Sequence, residues 1–324
     1  MLSLFFALTI SAAGPCGFEG EPRDWTVQAL ESWDRLDHQR LGTTRPVTPT
    51  LVLFDATCVY RLTPDADADF MVLGRRYAVE GREHGGVIPL PGGGELPARR
   101  VSFAFPAEAG GMNFVMALPA LWRAEAATEP RDPAKLAMLV FMHEFAHTQQ
   151  GEGLGRRIDA LVEDGLPPEV DDDIVQKRFR DTPEYVAAWE AERDLYYAAS
   201  GAPDAAEARR LLAEAWAMTR VRRARWFTGD QAILDAADDV FLTFEGSGNW
   251  AAWTWLVDPS GGGLSPAEAT AFVRGRRSPW SQDQGLAVML TLDRLAPDWP
   301  GRAFGPEGAT ADALIARALE EDPR

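Results

Sequence analysis

The sequence predicts an α+β fold in which an N-terminal β-rich part packs on a mainly helical C-terminal part. Two observations carry that expectation. Residues 44–122 hold short apolar or alternating runs separated by Gly and Pro, and from Asp132 onward apolar residues recur at helical spacing almost throughout. Strands first and helices afterwards is the order of an α+β chain. With 324 residues, 46% hydrophobic and 25% charged, the chain has globular composition and enough length for a sizeable core. Its expected division is 1–13, an N-terminal export segment; 14–128, a mixed β-rich region; and 129–324, the helical region.

The run Met1 to Ile10 is apolar but too short to span a bilayer, and the small residues Ser11-Ala12-Ala13 follow it. This reads as a secretory signal cleaved after Ala13, which places the protein in the periplasm or outside the cell. In an oxidising compartment the two cysteines, Cys16 and Cys58, are expected to pair. No other apolar run reaches the length of a membrane helix.

Asp24 to Leu41 carries Trp25, Leu30, Trp33 and Leu36 at helical spacing and predicts a first amphipathic helix. Strands are expected at 50–54, 57–62, 70–73, 87–90, 101–105 and 113–118, with Pro91-Gly92-Gly93-Gly94 as a turn. Helices are expected at 133–150, 183–199, 204–226, 230–256, 266–275 and 281–295. Asp132 is a good N-cap for the helix at 133–150, Pro133 suits its first turn, and Gly151 is a natural stop. The acidic stretch from Glu163 to Asp173 lacks the spacing and glycine of a calcium loop and reads as a solvated linker.

One pentapeptide specifies a chemistry: His143-Glu144-Phe145-Ala146-His147. Side chains four apart share a helix face, so both imidazoles can reach one ion while Glu144 lies beside it. The preceding run, Leu136 to Met142, is apolar all round and belongs in a core, where polar groups need partners. The expected cofactor is Zn2+, with His143 and His147 as ligands and Glu144 as the general base. A catalytic zinc site usually has a third protein ligand. His38 and His84 lie far upstream among polar neighbours, which leaves three glutamates. Glu245 lies on an apolar stripe with Leu234, Phe241, Phe244 and Trp255, followed by small residues that permit close helix approach. Glu192 shares a face with Tyr185, Trp189 and Tyr196, whereas Glu190 sits on a polar face. Glu245 ranks first, Glu192 is the alternate and Glu190 comes last.

His143-Glu144-x-x-His147 followed by a glutamate on a later helix resembles the gluzincin group of zinc metallopeptidases. Phe244-Glu245-Gly246 is similar to the third-ligand context of its aminopeptidases, and Glu190 with Asp194 is similar to that of thermolysin. The resemblance covers about thirty residues. It implies a zincin-like fold, a peptide or protein substrate, and a strand before the helix, here 113–118, that borders the cleft. It also implies a donor for the reacting oxygen, for which Tyr185, Tyr196 and Tyr197 are candidates. The aminopeptidases' N-terminus-binding motif is absent, so aminopeptidase specificity does not follow. A formal charge of −17 opposes nucleic-acid binding. The rival expectation is a non-catalytic helical protein that binds a cell-envelope partner and carries a structural or vestigial zinc site, its tryptophans forming the platform.

Overall fold

The computed structural model describes residues 16–43, 46–124, 131–167, 171–275 and 279–320; the expected export segment at 1–13 lies outside them. The first helix, α1 (Glu21–Leu36), buries Trp25, Leu30, Trp33 and Leu36, the stripe its spacing predicts. It runs on as a π-helical turn, Asp37–Leu41, and stops at Gly42, whose φ of 60° suits a residue without a β-carbon.

The strands β1 (Thr50–Phe54), β2 (Cys58–Pro64), β3 (Phe70–Val72), β4 (Arg75–Glu83), β7 (Ser102–Pro106) and β8 (Met112–Ala117) form a mixed sheet ordered β3-β4-β2-β1-β8-β7. Its fold class is therefore α+β. β1 runs parallel to β8, and the remaining pairs are antiparallel. As a central strand β1 buries Leu51 through Phe54 without alternation, as expected when both faces are covered. A separate hairpin pairs β5 (Val87–Pro89) with β6 (Glu95–Pro97).

Strand β4 was not expected from the sequence. It is mostly charged and buries only Tyr77, so it shows no apolar alternation, yet it pairs along the whole of β2. At Gly81 a β-carbon would lie 2.0 Å from the Cys16 carbonyl oxygen, so the N-terminal segment crosses β4 where a side chain is missing. A Cys16–Cys58 disulfide fixes that crossing, with the Cα atoms 5.6 Å apart.

The strand expected to border the cleft is misplaced. Residues 113–117 belong to β8, which is hydrogen-bonded on both sides by β1 and β7 and has no open edge. The edge strand on this side is β7, and it packs against the helix of the pentapeptide.

After α2 (Pro119–Ala124), that helix, α3 (Pro133–Gln150), begins at an Asp132 cap that accepts from the Ala134 and Lys135 amides at 2.8 and 3.0 Å. The α-helix ends at Gln150 with Gly151 as its C-cap, as expected, but the chain does not turn away there. The glycine is right-handed, and the chain continues through a π-helical turn, Gly151–Gly155, into α4 (Arg156–Glu163). There follow α5 (Ile174–Phe179), α6 (Pro183–Ser200), α7 (Ala205–Trp226), α8 (Leu234–Val257), α9 (Pro266–Arg274), α10 (Trp280–Leu295), α11 (Trp299–Ala303) and α12 (Ala311–Glu320). Residues 230 and 231, expected inside α8, belong instead to a separate 3-10 turn, Gly229–Gln231.

Buried α8 packs on α3 at one side and on α10 at the other. Gly246 and Gly285 make the second contact possible: a β-carbon on Gly246 would meet the Gly285 backbone at 2.5 Å, and one on Gly285 would meet the Leu242 carbonyl at 2.5 Å. Against the sheet side, Phe141 and Phe145 of α3 stack on each other, with Trp25, Trp33 and Phe114 around them. One apolar core runs from α1 and the sheet through α3 into α8 and α10. No helix of the described residues is long and apolar enough to cross a membrane.

Candidate metal centre

Helical spacing puts His143 and His147 on the face of α3 that meets α8. Across that interface Glu245 sits just before Gly246, where α10 approaches α8 closely. His143 Nε2 lies 3.1 Å from Glu245 Oε2, His147 Nε2 lies 3.6 Å from Glu245 Oε1, and the two Nε2 atoms are 3.2 Å apart. All three side chains are buried. This group can hold a metal ion.

Hydrogen bonding fixes which nitrogen faces inward. The Asn249 side-chain amide donates to the Gln282 carbonyl at 3.1 Å, so its oxygen turns to His143 Nδ1, 2.9 Å away, and accepts that N–H. The Ser247 hydroxyl donates to the Thr243 carbonyl at 2.6 Å, which leaves Ser247 Oγ to accept from the Gln150 amide. Gln150 Oε1 then accepts from His147 Nδ1 at 2.8 Å. Both Nδ1 atoms are thereby occupied, and the neutral rings present Nε2 lone pairs to the carboxylate. Phe244 stacks on the His147 ring at 4.0 Å, and Gly248 leaves room for the His143 ring on α8.

Three lone-pair donors converging in a buried place need positive charge. Burial pulls the His143 pKa down, but its hydrogen bond to Glu245 and that carboxylate's charge raise it to about 9. His147 is driven down to about 4, chiefly by burial. A proton between His143 and Glu245 therefore leaves the His147 Nε2 lone pair buried among acceptors. A single proton cannot satisfy three convergent donors, whereas one small cation can. Two imidazole nitrogens and a carboxylate oxygen also match the donor set of catalytic zinc sites.

Glu144 is half-buried and is not part of this group. It lines a cleft of about 210 Å³ with Leu139, Val140, His143, Asn249 and Gln282. Burial, with the charges of Glu245 and Asp172 adding to it, pushes its carboxyl up to about 8. Asp172 belongs to the acidic stretch expected to be a solvated linker. It is half-buried instead, and burial together with the charge of Glu245 raises its pKa to about 7.

The other sequence candidates lie elsewhere. Glu192 is fully buried, but its oxygens accept from Arg222 Nε at 2.9 Å, Thr219 Oγ1 at 3.1 Å and Gln284 Nε2 at 3.3 Å. An arginine is its counter-charge, and Arg222 and Arg223 both reach Asp238 as well. Glu190 is exposed. His84 contacts the Asp55 carbonyl and accepts from the Gly86 amide, and exposed His38 pairs with Asp34.

None of the three tyrosines serves the group. The hydroxyl of Tyr185 accepts from Arg222, that of Tyr196 meets Thr219 at 3.1 Å, and that of Tyr197 donates to Asp283 at 2.8 Å. Sequence reasoning missed Gln150, Ser247, Asn249 and Gln282. Gln150 and Asn249 had a readable signal, since each lies one helical turn beyond a ligand candidate, at His147 + 3 and Glu245 + 4. No protein-family model, curated protein or solved structure matches the chain.

Proposed function

We propose that this chain is a zinc-dependent hydrolase of zincin-like build that cleaves peptides or proteins outside the cytoplasm. The observation that carries this reading is the meeting of His143, His147 and Glu245 through three lone-pair atoms, beside the half-buried carboxylate of Glu144 at a cleft. These three residues would hold the ion. When bound, zinc supplies a Lewis acid and lowers the pKa of a coordinated water to about 7.

Glu144 is the general base. Its carboxylate form takes a proton from the attacking water and returns it to the leaving amine. Asn249 and Gln150 keep both rings turned toward the ion, the role of outer-shell hydrogen bonds in metal sites.

Strand β7 is where an extended substrate adds. The Ala117 amide donates to the Val101 carbonyl, so residues 101, 103 and 105 face β8, while Ser102 and Ala104 direct N–H and C=O outward. The Cys16–Cys58 disulfide and the apolar segment at 1–10 support an exported location.

The test is zinc analysis of purified protein together with cleavage of an unfolded protein such as casein. Wild type should carry zinc and cleave. Glu144→Gln should keep the zinc and lose turnover by about 10²–10⁴-fold. Full hydrolysis by Glu144→Gln would remove the base assignment. Zinc-loaded wild type that cleaves nothing would favour the non-catalytic platform.

A further inference from the structure

Amide hydrolysis places negative charge on the carbonyl oxygen under attack, and a preorganised N–H or O–H donor aimed at that oxygen lowers the barrier. The tyrosines that the sequence offered are committed elsewhere. Of the other donors lining the cleft, Arg274 holds Asp283 at 2.8 Å, Arg131 donates to the Phe272 carbonyl at 3.1 Å, and Asn249 accepts from His143 and donates to the Gln282 backbone carbonyl; none of these bonds is to Glu245.

Gln282 differs in position and in surroundings. Its Nε2 lies 3.1 Å from Glu245 Oε2, an oxygen of the metal-site group itself, and its side chain is half-buried and lines the cleft beside Glu144. Two contacts and a nearby helix crossing fix it there. Asn249 donates to the Gln282 backbone carbonyl, the Glu245 carboxylate accepts one side-chain amide N–H, and the Gly246–Gly285 crossing lies one turn along α10. A primary amide carries two N–H groups, so the bond to Glu245 leaves a second.

We propose that Gln282 is a catalytic residue of the hydrolysis read above, donating its second amide N–H to the oxygen of the scissile carbonyl while the first holds Glu245. This rests on the hydrolase reading. No proton leaves Gln282. Water forms the new C–O bond, the C–N bond breaks, and the proton removed by Glu144 goes to the amine. The amide strengthens one hydrogen bond as charge grows on the carbonyl oxygen and relaxes when the product acid leaves.

The test compares wild type with Gln282→Met, which keeps the length and loses both donors, and with Gln282→Asn, which keeps the amide but withdraws it. Zinc affinity is measured by chelator competition. Acetohydroxamic acid, whose carbonyl oxygen is drawn to the metal, is then titrated calorimetrically into each protein at saturating zinc. Casein turnover is measured under the same conditions.

Both variants should fill with zinc at excess. They should lose about 10²–10³-fold in kcat with little change in KM, and bind the hydroxamate at least about tenfold more weakly. Full recovery of kcat and hydroxamate affinity at saturating zinc would mean that Gln282 only positions Glu245, and would overturn the proposal. Wild-type cleavage and hydroxamate affinity separate the two readings: wild type that binds zinc and cleaves nothing sinks the hydrolase reading. Unchanged hydroxamate binding in Gln282→Met, with wild type active, sinks the donor role alone.

Discussion

Gly248 lies directly beneath the ring of His143: a β-carbon on that glycine would stand 3.0 Å from both Cε1 and Nδ1 of the imidazole. The ring has its place on α8 because the residue three after Glu245 has no side chain. Gly248→Ala should therefore push the imidazole off its Asn249 partner. Overpacking of this kind costs about 1–3 kcal/mol of stability. Metal affinity should fall about 10–100-fold, the usual effect of losing an outer-shell contact. Chelator competition and thermal unfolding of the apo protein measure the two effects separately, and unchanged zinc affinity would show that the ring does not depend on this contact.

Glu245 and Glu192 are both buried carboxylates on apolar helix faces, but their counter-charges differ, and so should their variants. Glu245→Ala should abolish zinc uptake at micromolar zinc while the fold survives. Glu192→Ala should keep zinc but destabilise the protein by about 3–5 kcal/mol, because Arg222 would lose one partner of a buried network. Metal analysis beside urea unfolding separates them. Unaltered zinc content in Glu245→Ala would remove it from the ligand set.

On the proposed zinc site, chelation should lower the stability of the fold. A ligand that binds only the native state at 1,000 times its Kd adds about 4.1 kcal/mol. Calorimetric scans with zinc and with a chelator should thus differ in Tm for wild type. They should coincide for His147→Ala, and a zinc-dependent shift that persisted in that variant would place the ion elsewhere.

Reduction of Cys16–Cys58 should cost the protein about 4 kcal/mol on the loop-entropy relation, the sequence separation being 42. The loss should be matched by a Cys16→Ser/Cys58→Ser double variant in denaturant titrations. Since the bridge ties a terminal segment to β2 and β4, far in sequence from α3, zinc content should not change. Zinc lost together with the bridge would contradict this independence.

The fold was legible wherever a pattern is local. α1 and α3 follow from apolar spacing and caps, and β1 follows from a continuous apolar run. Strand β4 was not legible, because a strand whose side chains mostly face solvent carries no apolar alternation and is held by its partner's backbone. The π-helical continuation beyond Gly151 was not legible for a related reason. A glycine permits a helix end without imposing one, and here a β-carbon would press on Met112 Sδ at 3.0 Å, so tertiary packing uses the missing side chain instead.

Sequence alone determined that two imidazoles and a carboxylate lie on one buried stretch of helix, because helical period and apolar context are properties of a few adjacent residues. It ranked Glu245 above Glu192 but did not exclude the second. Each is a carboxylate on an apolar stripe, and only the neighbour across the interface distinguishes a partner of two imidazoles from a partner of an arginine. That neighbour was chosen by packing. The Gly246–Gly285 contact sets how closely α8 and α10 approach, α3 lies along the other side of α8, and Glu245 is left at the place where two imidazole lone pairs arrive.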